Sequence, residues 1–177
     1  LHSYISVLPY NELGAAAAAY NADEKELCRL DEIYSAVKTP FEIRSGSEKV
    51  TRRFFKICNN GRESFTGLYK SLTEQGICKG HQCIAYGLYM RDNGIELSEG
   101  LAVYGYSICS AIVTNCVKLV PLSQLAGQKI LGESFELISS ASEKALFTDI
   151  NDIGISGAGF DLRAMQHERL YSRQYMS

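Results

Sequence analysis

Proline is scarce in this chain, at three in 177 residues, and glycine is moderate at fifteen. With 46% apolar and 21% charged residues, that scarcity excludes a disordered, collagenous or low-complexity polypeptide. An excess of one charge is missing as well. Eighteen Lys and Arg face twenty Asp and Glu, a net charge of -2, which argues against nucleic acid as a main partner. No run of Val, Ile and Thr alternates with polar residues, so β-strands have no support. The phosphate-loop pattern GxxxxGK(S/T), the dinucleotide pattern GxGxxG and the hydrolase pattern GxSxG are all absent.

Cysteine is present but not as a framework. Six cysteines, at 28, 58, 78, 83, 109 and 116, are too few and too scattered for a disulfide scaffold in a chain of this length. Reduced thiols and a cytoplasmic location are the expectation. The first ten residues carry no basic stretch followed by an apolar one, so no signal peptide is read there.

What is there is helical periodicity, and a chain of this size buries roughly 70% of its unfolded surface on folding. From Glu24 to Val37, Leu27, Leu30, Tyr34 and Val37 recur at the spacing of one helical face. The alanines from Ala15 to Ala19 have high helix propensity. Thr39-Pro40-Phe41-Glu42 predicts a helix start with a capping box, Thr39 at N-cap, Pro40 at N1 and Glu42 at N3, followed by an apolar face of Val50, Phe54 and Ile57. A turn at Asn59-Asn60-Gly61 leads to a helix carrying Phe65, Leu68, Tyr69 and Leu72 up to Gln75-Gly76. His81 to Asn93 predicts a helix ended by Gly94.

Leu101 to Val120 is the one run long and apolar enough to cross a bilayer. Asn115 and Lys118, and the hydroxyls of Ser107, Ser110 and Thr114, favour a central helix buried all round over a membrane span. Its small residues, among them Ala102, Gly105 and Ala111, would let neighbours approach on several sides. Ser123 to Leu146 then predicts a single helix with Ile130, Leu131, Phe135, Ile138, Ala141 and Ala145 inward. Asn151 to Gly159 reads as a loop, and Asp161 as the N-cap of a last helix with Leu162, Met165 and Leu170. The fold class is therefore all-α, one domain over residues 1–177 with about seven to nine helices, in which 160–177 form a terminal helix and tail.

Candidate chemistry is sparse. Cys78, His81 and Cys83 are the only local group with metal-ligand side chains, but a structural zinc site wants four ligands, and His81 and Cys83 point to different helical faces. Packing is the more natural reading, with direct nickel carriage as the alternative. His167 and Glu168 are neighbours on a helix and face apart, so they do not form an acid–base pair. A thiol enzyme pairing Cys83 or Cys116 with His167 has no specific support, and no catalytic residue is assigned.

The last stretch is compositionally distinct. Arg163, Arg169 and Arg173 alternate with Met165, Leu170, Tyr171, Tyr175 and Met176, residue types that concentrate at protein interfaces. That points to a partner-binding segment.

Two segments carry a family resemblance: Asn115-Cys116-Val117-Lys118-Leu119-Val120-Pro121-Leu122-Ser123-Gln124 with Gly127-Gln128, and Met165 to Ser177. Together with His81, Ala85-Tyr86-Gly87 and Gly94-Ile95, they resemble the urease accessory protein UreF family. Members of that family begin with a Pro-x-Gly-Ser stretch and a His-Ser-x-Gly-Leu-Glu stretch. Neither occurs here, so the resemblance implies a chain truncated or divergent at its N-terminus.

The resemblance implies an all-helical, non-enzymatic maturation chaperone that forms homodimers. It would bind UreD, also called UreH, and with it recruit the GTPase UreG to apo-urease. Nickel would be handled by the complex, with no cofactor held tightly by this chain. The tail would dock UreD, and Arg173 would take part in recruiting UreG. On this reading the partner-binding residues are Arg163, His167, Arg169, Tyr171, Ser172, Arg173, Tyr175 and Met176, with no nucleic acid or membrane among the partners.

Overall fold

The structure, a computed structural model, describes residues 1–58, 61, 63–155 and 157–171. The chain enters through one helical turn, α1 (His2–Ile5), and a 3-10 turn at Leu8–Tyr10. Then come α2 (Glu12–Asn21), α3 (Glu24–Val37), α4 (Phe41–Ile57), α5 (Phe65–Glu74) and α6 (Gln82–Asp92). The remaining elements are α7 (Leu97–Leu119), α8 (Gln124–Glu133), α9 (Phe135–Ala145), a 3-10 turn at Ile150–Asp152, and α10 (Ala158–His167). Nine of the helices have ten residues or more, and no strand occurs among the described residues, so the architecture is all-α.

The centre is the seat of α6 on α2. Ala15, Ala16 and Ala19 are fully buried, and a Cβ added to Gly87 would stand only 2.2 Å from the Ala16 carbonyl oxygen. Only the smallest side chains permit two helices to approach this closely, which is why the alanine run faces the glycine. α6 is buried on nearly every side, through Cys83, Ile84, Ala85, Gly87, Leu88 and Met90.

That place had been expected for Leu101 to Val120, and the expectation is corrected. α7 buries one stripe, Leu101, Tyr104, Gly105, Cys109 and Val113, and leaves Val103 at 57% and Tyr106 at 40% exposure. Its small residues serve close approach at Gly100, whose Cβ would lie 2.1 Å from Met90 Sδ of α6, and at Gly105, whose Cβ would lie 3.1 Å from Ile138 of α9, and the other face meets solvent. By length and composition α7 alone among the described helices qualifies as a membrane span, yet its buried stripe packs against α2, α8 and α9.

α3 runs over the expected residues and buries Leu27, Leu30 and Tyr34. Its start carries a capping box unread in the sequence: the Glu26 amide donates to Asp23 Oδ1 at 2.8 Å and the Asp23 amide to Glu26 Oε2 at 3.0 Å. The box expected at Thr39 does not form. The helix starts one residue later, so Pro40, whose ring has no acceptor, is the N-cap of α4 and Glu42 falls at N2, where it meets His167. The buried side of α4 is Thr51 and Phe55, with Phe54 partly covered, whereas Val50 and Ile57 are exposed. Asn59 and Asn60 of the expected turn lie outside the described residues.

The helix expected over Ser123 to Leu146 is two helices. At Ser134 the hydroxyl donates to the Ile130 carbonyl at 2.7 Å, and α8 ends and α9 begins there. The break turns Phe135 outward to 55% exposure, against Tyr106 at 5.8 Å between ring centroids, while Leu131, Ile138, Ala141 and Ala145 stay buried. α10 starts at Ala158 with Gly157 as N-cap, so Asp161 sits inside the first turn and not at its cap. An acidic group there still favours the positive end of the helix dipole.

Candidate partner-binding face and the cysteine–histidine region

The approach to α10 is fixed by one backbone bond and one side-chain bond. Gly154, at φ +105, donates its amide to the Tyr10 carbonyl at 2.8 Å, and Asn11 Nδ2 donates to the Ile155 carbonyl at 3.1 Å. A Cβ on Gly154 would strike Val37 at 2.4 Å, so glycine is required by both its torsion and its neighbour.

α10 then lies across the start of α4. His167 Nδ1 meets Glu42 Oε2 at 2.6 Å, and the Phe41 amide donates to Glu168 Oε1 at 3.0 Å. Glu168 thus supplies in trans the acceptor that the N-terminus of α4 lacks from its own chain neighbours. His167 and Glu168, which face apart as a catalytic pair would not, both serve this joint.

No residue of α10 is buried. Phe160, Leu162 and Met165, with Leu170 and Tyr171 just beyond, are exposed, and Phe160 makes an edge contact with Tyr4 at 5.6 Å. Arg163 and Arg169 are exposed beside them, and Tyr171 stands fully in solvent. The helix is amphipathic in composition but has its apolar residues outward, which a lone domain would not favour. Ser172, Arg173, Tyr175 and Met176 lie outside the described residues.

Cys78, His81 and Cys83 do not converge. Cys78 faces Cys28, with the two sulfurs 3.9 Å apart. His81, fully buried, pairs through Nε2 with Ser35 Oγ at 2.8 Å, and its Nδ1 has no partner. Burial lowers the His81 pKa from 6.5, reinforced by Lys38 and Arg44 and opposed by Asp31. Cys83 shares a hydrogen bond with Tyr34, and burial pushes its thiol up to about 12. A thiol held in that state is a poor nucleophile, which counts against a Cys83 enzyme. Among the described residues no three His, Cys, Asp or Glu side chains gather as a metal site.

Beside Cys83 opens a cavity of about 350 Å³, lined in part by Tyr4, Glu12, Tyr34, Lys38 and Tyr104. Lys38 Nζ and Glu12 Oε1 form an ion pair at 2.6 Å, both less than a fifth exposed, and the Tyr4 hydroxyl donates to the same carboxylate oxygen at 3.4 Å. Asp31 is buried and accepts from the Tyr69 hydroxyl at 2.6 Å and from the amides of Lys79 at 2.7 Å and Gly80 at 3.0 Å. Sequence reading missed the contacts of Glu42, Glu168, Asp31 and Cys28, because each finds its partner far along the chain.

Residues 2–134 match the family model for UreF. Over 173 residues the chain is 32% identical to the urease accessory protein UreF of Actinobacillus pleuropneumoniae serotype 5b, covering 95% of this chain and 76% of that protein. The protein of the same name from Haemophilus influenzae is 33% identical over 174 residues, 95% of this chain and 74% of its own length. That from Paenarthrobacter aurescens is 31% identical over 152 residues, 84% of this chain and 67% of its own.

Proposed function

The chain belongs to the UreF family of urease accessory proteins, and from that premise we propose that it is a non-catalytic scaffold in urease maturation, docking partners through α10 and the residues after it. It binds UreD (UreH), and the pair recruits the GTPase UreG to apo-urease so that nickel is delivered by the complex. The chain works in the cytoplasm as a homodimer and holds no nickel tightly itself.

The observation that carries the proposal is the inverted exposure of α10. Its apolar residues face solvent, and its hold on α4 includes a histidine–carboxylate contact and one amide hydrogen bond, contacts that a competing partner can replace. Burying an exposed Leu or Phe at an interface contributes roughly 1.5 to 3 kcal/mol, so three or four such anchors suffice for a specific complex. Arginines beside aromatic and methionine side chains supply the polar rim and orientation.

The test is the affinity of UreD (UreH) for a Leu162→Asp variant. Leu162 is 60% exposed, so the variant should keep its melting temperature while binding falls tenfold or more, about 1.4 kcal/mol. Unchanged affinity in a folded variant would remove α10 from the docking surface.

A further inference from the structure

Cys28 and Cys78, fifty residues apart in sequence, bring their sulfur atoms to 3.9 Å. Cys28 is on α3 and partly exposed, while Cys78 lies buried in the connection between α5 and α6. The surrounding bonds hold them in register. Asp31 stands one turn beyond Cys28 on α3, on the same side of the helix, and grips the amides of Lys79 and Gly80 immediately after Cys78. On the other side of the connection, the amides of Ile77 and Cys78 both donate to the Leu72 carbonyl, at 3.0 and 3.2 Å. The Cys78 main chain is therefore tied at both ends. Gly80, at φ +88 and packed on Thr73, closes the turn.

We propose that Cys28 and Cys78 form a reversible dithiol–disulfide site whose co-reactant is a small-molecule disulfide such as oxidised glutathione. Bond formation needs the sulfurs to close by roughly 2 Å, within reach of side-chain rotation and a small shift of the connection. Cys28 is the entry point. Its thiolate attacks one sulfur of the glutathione disulfide, that S–S bond breaks, and one glutathione leaves and takes up the proton Cys28 released. The Cys78 sulfur then loses its proton and attacks the Cys28 sulfur, and the second glutathione leaves as the thiol. The protein gives up two protons and two electrons, and one glutathione disulfide becomes two glutathione thiols.

Burial, with the Asp31 carboxylate and Cys28 nearby, holds the Cys78 thiol well above its usual range, so the second step sets the rate. The closed bond ties α3 to the α5–α6 connection around α4 and α5. For a loop of this length the folded-to-unfolded ratio rises by up to about a thousandfold.

The experiment equilibrates the full chain in glutathione buffers of rising oxidised fraction, quenches with an alkylating agent, and maps peptides by mass spectrometry. The expected product is a peptide pair joined through Cys28 and Cys78, lighter by two hydrogens, in a protein that melts several degrees higher. In Cys78→Ala, Cys28 should instead carry a mixed disulfide with glutathione, and in Cys28→Ser, Cys78 should stay a free thiol. The wild-type map alone decides the pairing, and the variants assign the order of the two steps. Separate glutathione adducts, pairing with Cys58 or Cys116, or free thiols in fully oxidised buffer would each overturn the proposal.

Discussion

Glu42, in the first turn of α4, and His167, at the end of α10, meet at 2.6 Å although 125 residues separate them in the chain. With the Phe41 amide bound to Glu168, this contact makes the start of one helix and the end of another a single joint. The joint determines how α10 is presented, and it is made of polar groups that remain partly exposed.

Weakening the joint should therefore change dynamics more than stability. Glu42→Gln is expected to alter global stability by less than about 1 kcal/mol, since a pair this exposed is screened by solvent. Amide exchange along α10 should speed up several-fold while exchange in α6 stays as it was. Hydrogen-exchange mass spectrometry checks this, and unchanged exchange in α10 would show that other contacts hold the helix.

The α2–α6 seat makes a sharper stability prediction. Gly87→Ala places a Cβ against the Ala16 carbonyl and should destabilise by about 1 to 3 kcal/mol. Gly132→Ala is its control. Nothing lies within 4 Å of a Cβ there, and alanine in a helix should stabilise by about 0.5 to 1 kcal/mol. Urea denaturation of the pair settles the comparison, and equal effects would mean that α2 and α6 are not so tightly apposed.

Much of this frame was legible where the signal is local. α3 follows from a four-position apolar stripe, and α6 ends where Gly94 takes φ +63, because each depends on a few consecutive residues. The exposure of α7 was not legible. Its mean hydropathy suits a central helix, but which helix is central depends on the closest-fitting pair, and the Ala16–Gly87 contact decided that in favour of α6. The cap at Thr39 failed because α4 starts one residue later with Pro40 as its N-cap, and the groups that meet its start, His167 and Glu168, come from an element that no window of the sequence contains. The composition of the terminal segment pointed to a partner-binding stretch but not to which residues of α10 face outward, and the Cys28–Cys78 and Asp31 contacts carry no sequence signal at all.

The buried Asp31 should be costly to remove. Asp31→Ala leaves the Tyr69 hydroxyl and the amides of Lys79 and Gly80 without their acceptor, for a loss of roughly 3 kcal/mol. Thermal denaturation measures it, and a loss below about 1 kcal/mol would mean that water replaces the carboxylate.

His81 sets an acid limit on stability. Its folded-state pKa lies below 6.5, so the folded chain prefers the neutral ring and the unfolded chain takes up the proton first. The contribution is complete above pH 6.5 and is lost progressively as pH falls from there through the folded-state value. His81→Gln should flatten this part of the stability-against-pH curve, read by urea midpoints at several pH values. An equally steep curve in the variant would assign the dependence to other groups.

Arg173, carried over from the family resemblance, should act in recruitment and not in folding. Arg173→Ala is expected to weaken capture of UreG by roughly 2 kcal/mol with the melting temperature unchanged. Wild-type affinity in that variant would sink the assignment.

The most direct test of the scaffold account is co-purification of the full chain with its cognate UreD (UreH) and UreG, beside a version ending at Gln166. That version removes His167, Glu168 and everything after them. The account predicts that both partners accompany the full chain and neither accompanies the shortened one. Capture of both partners by the shortened chain, or of neither by the full chain, would contradict it.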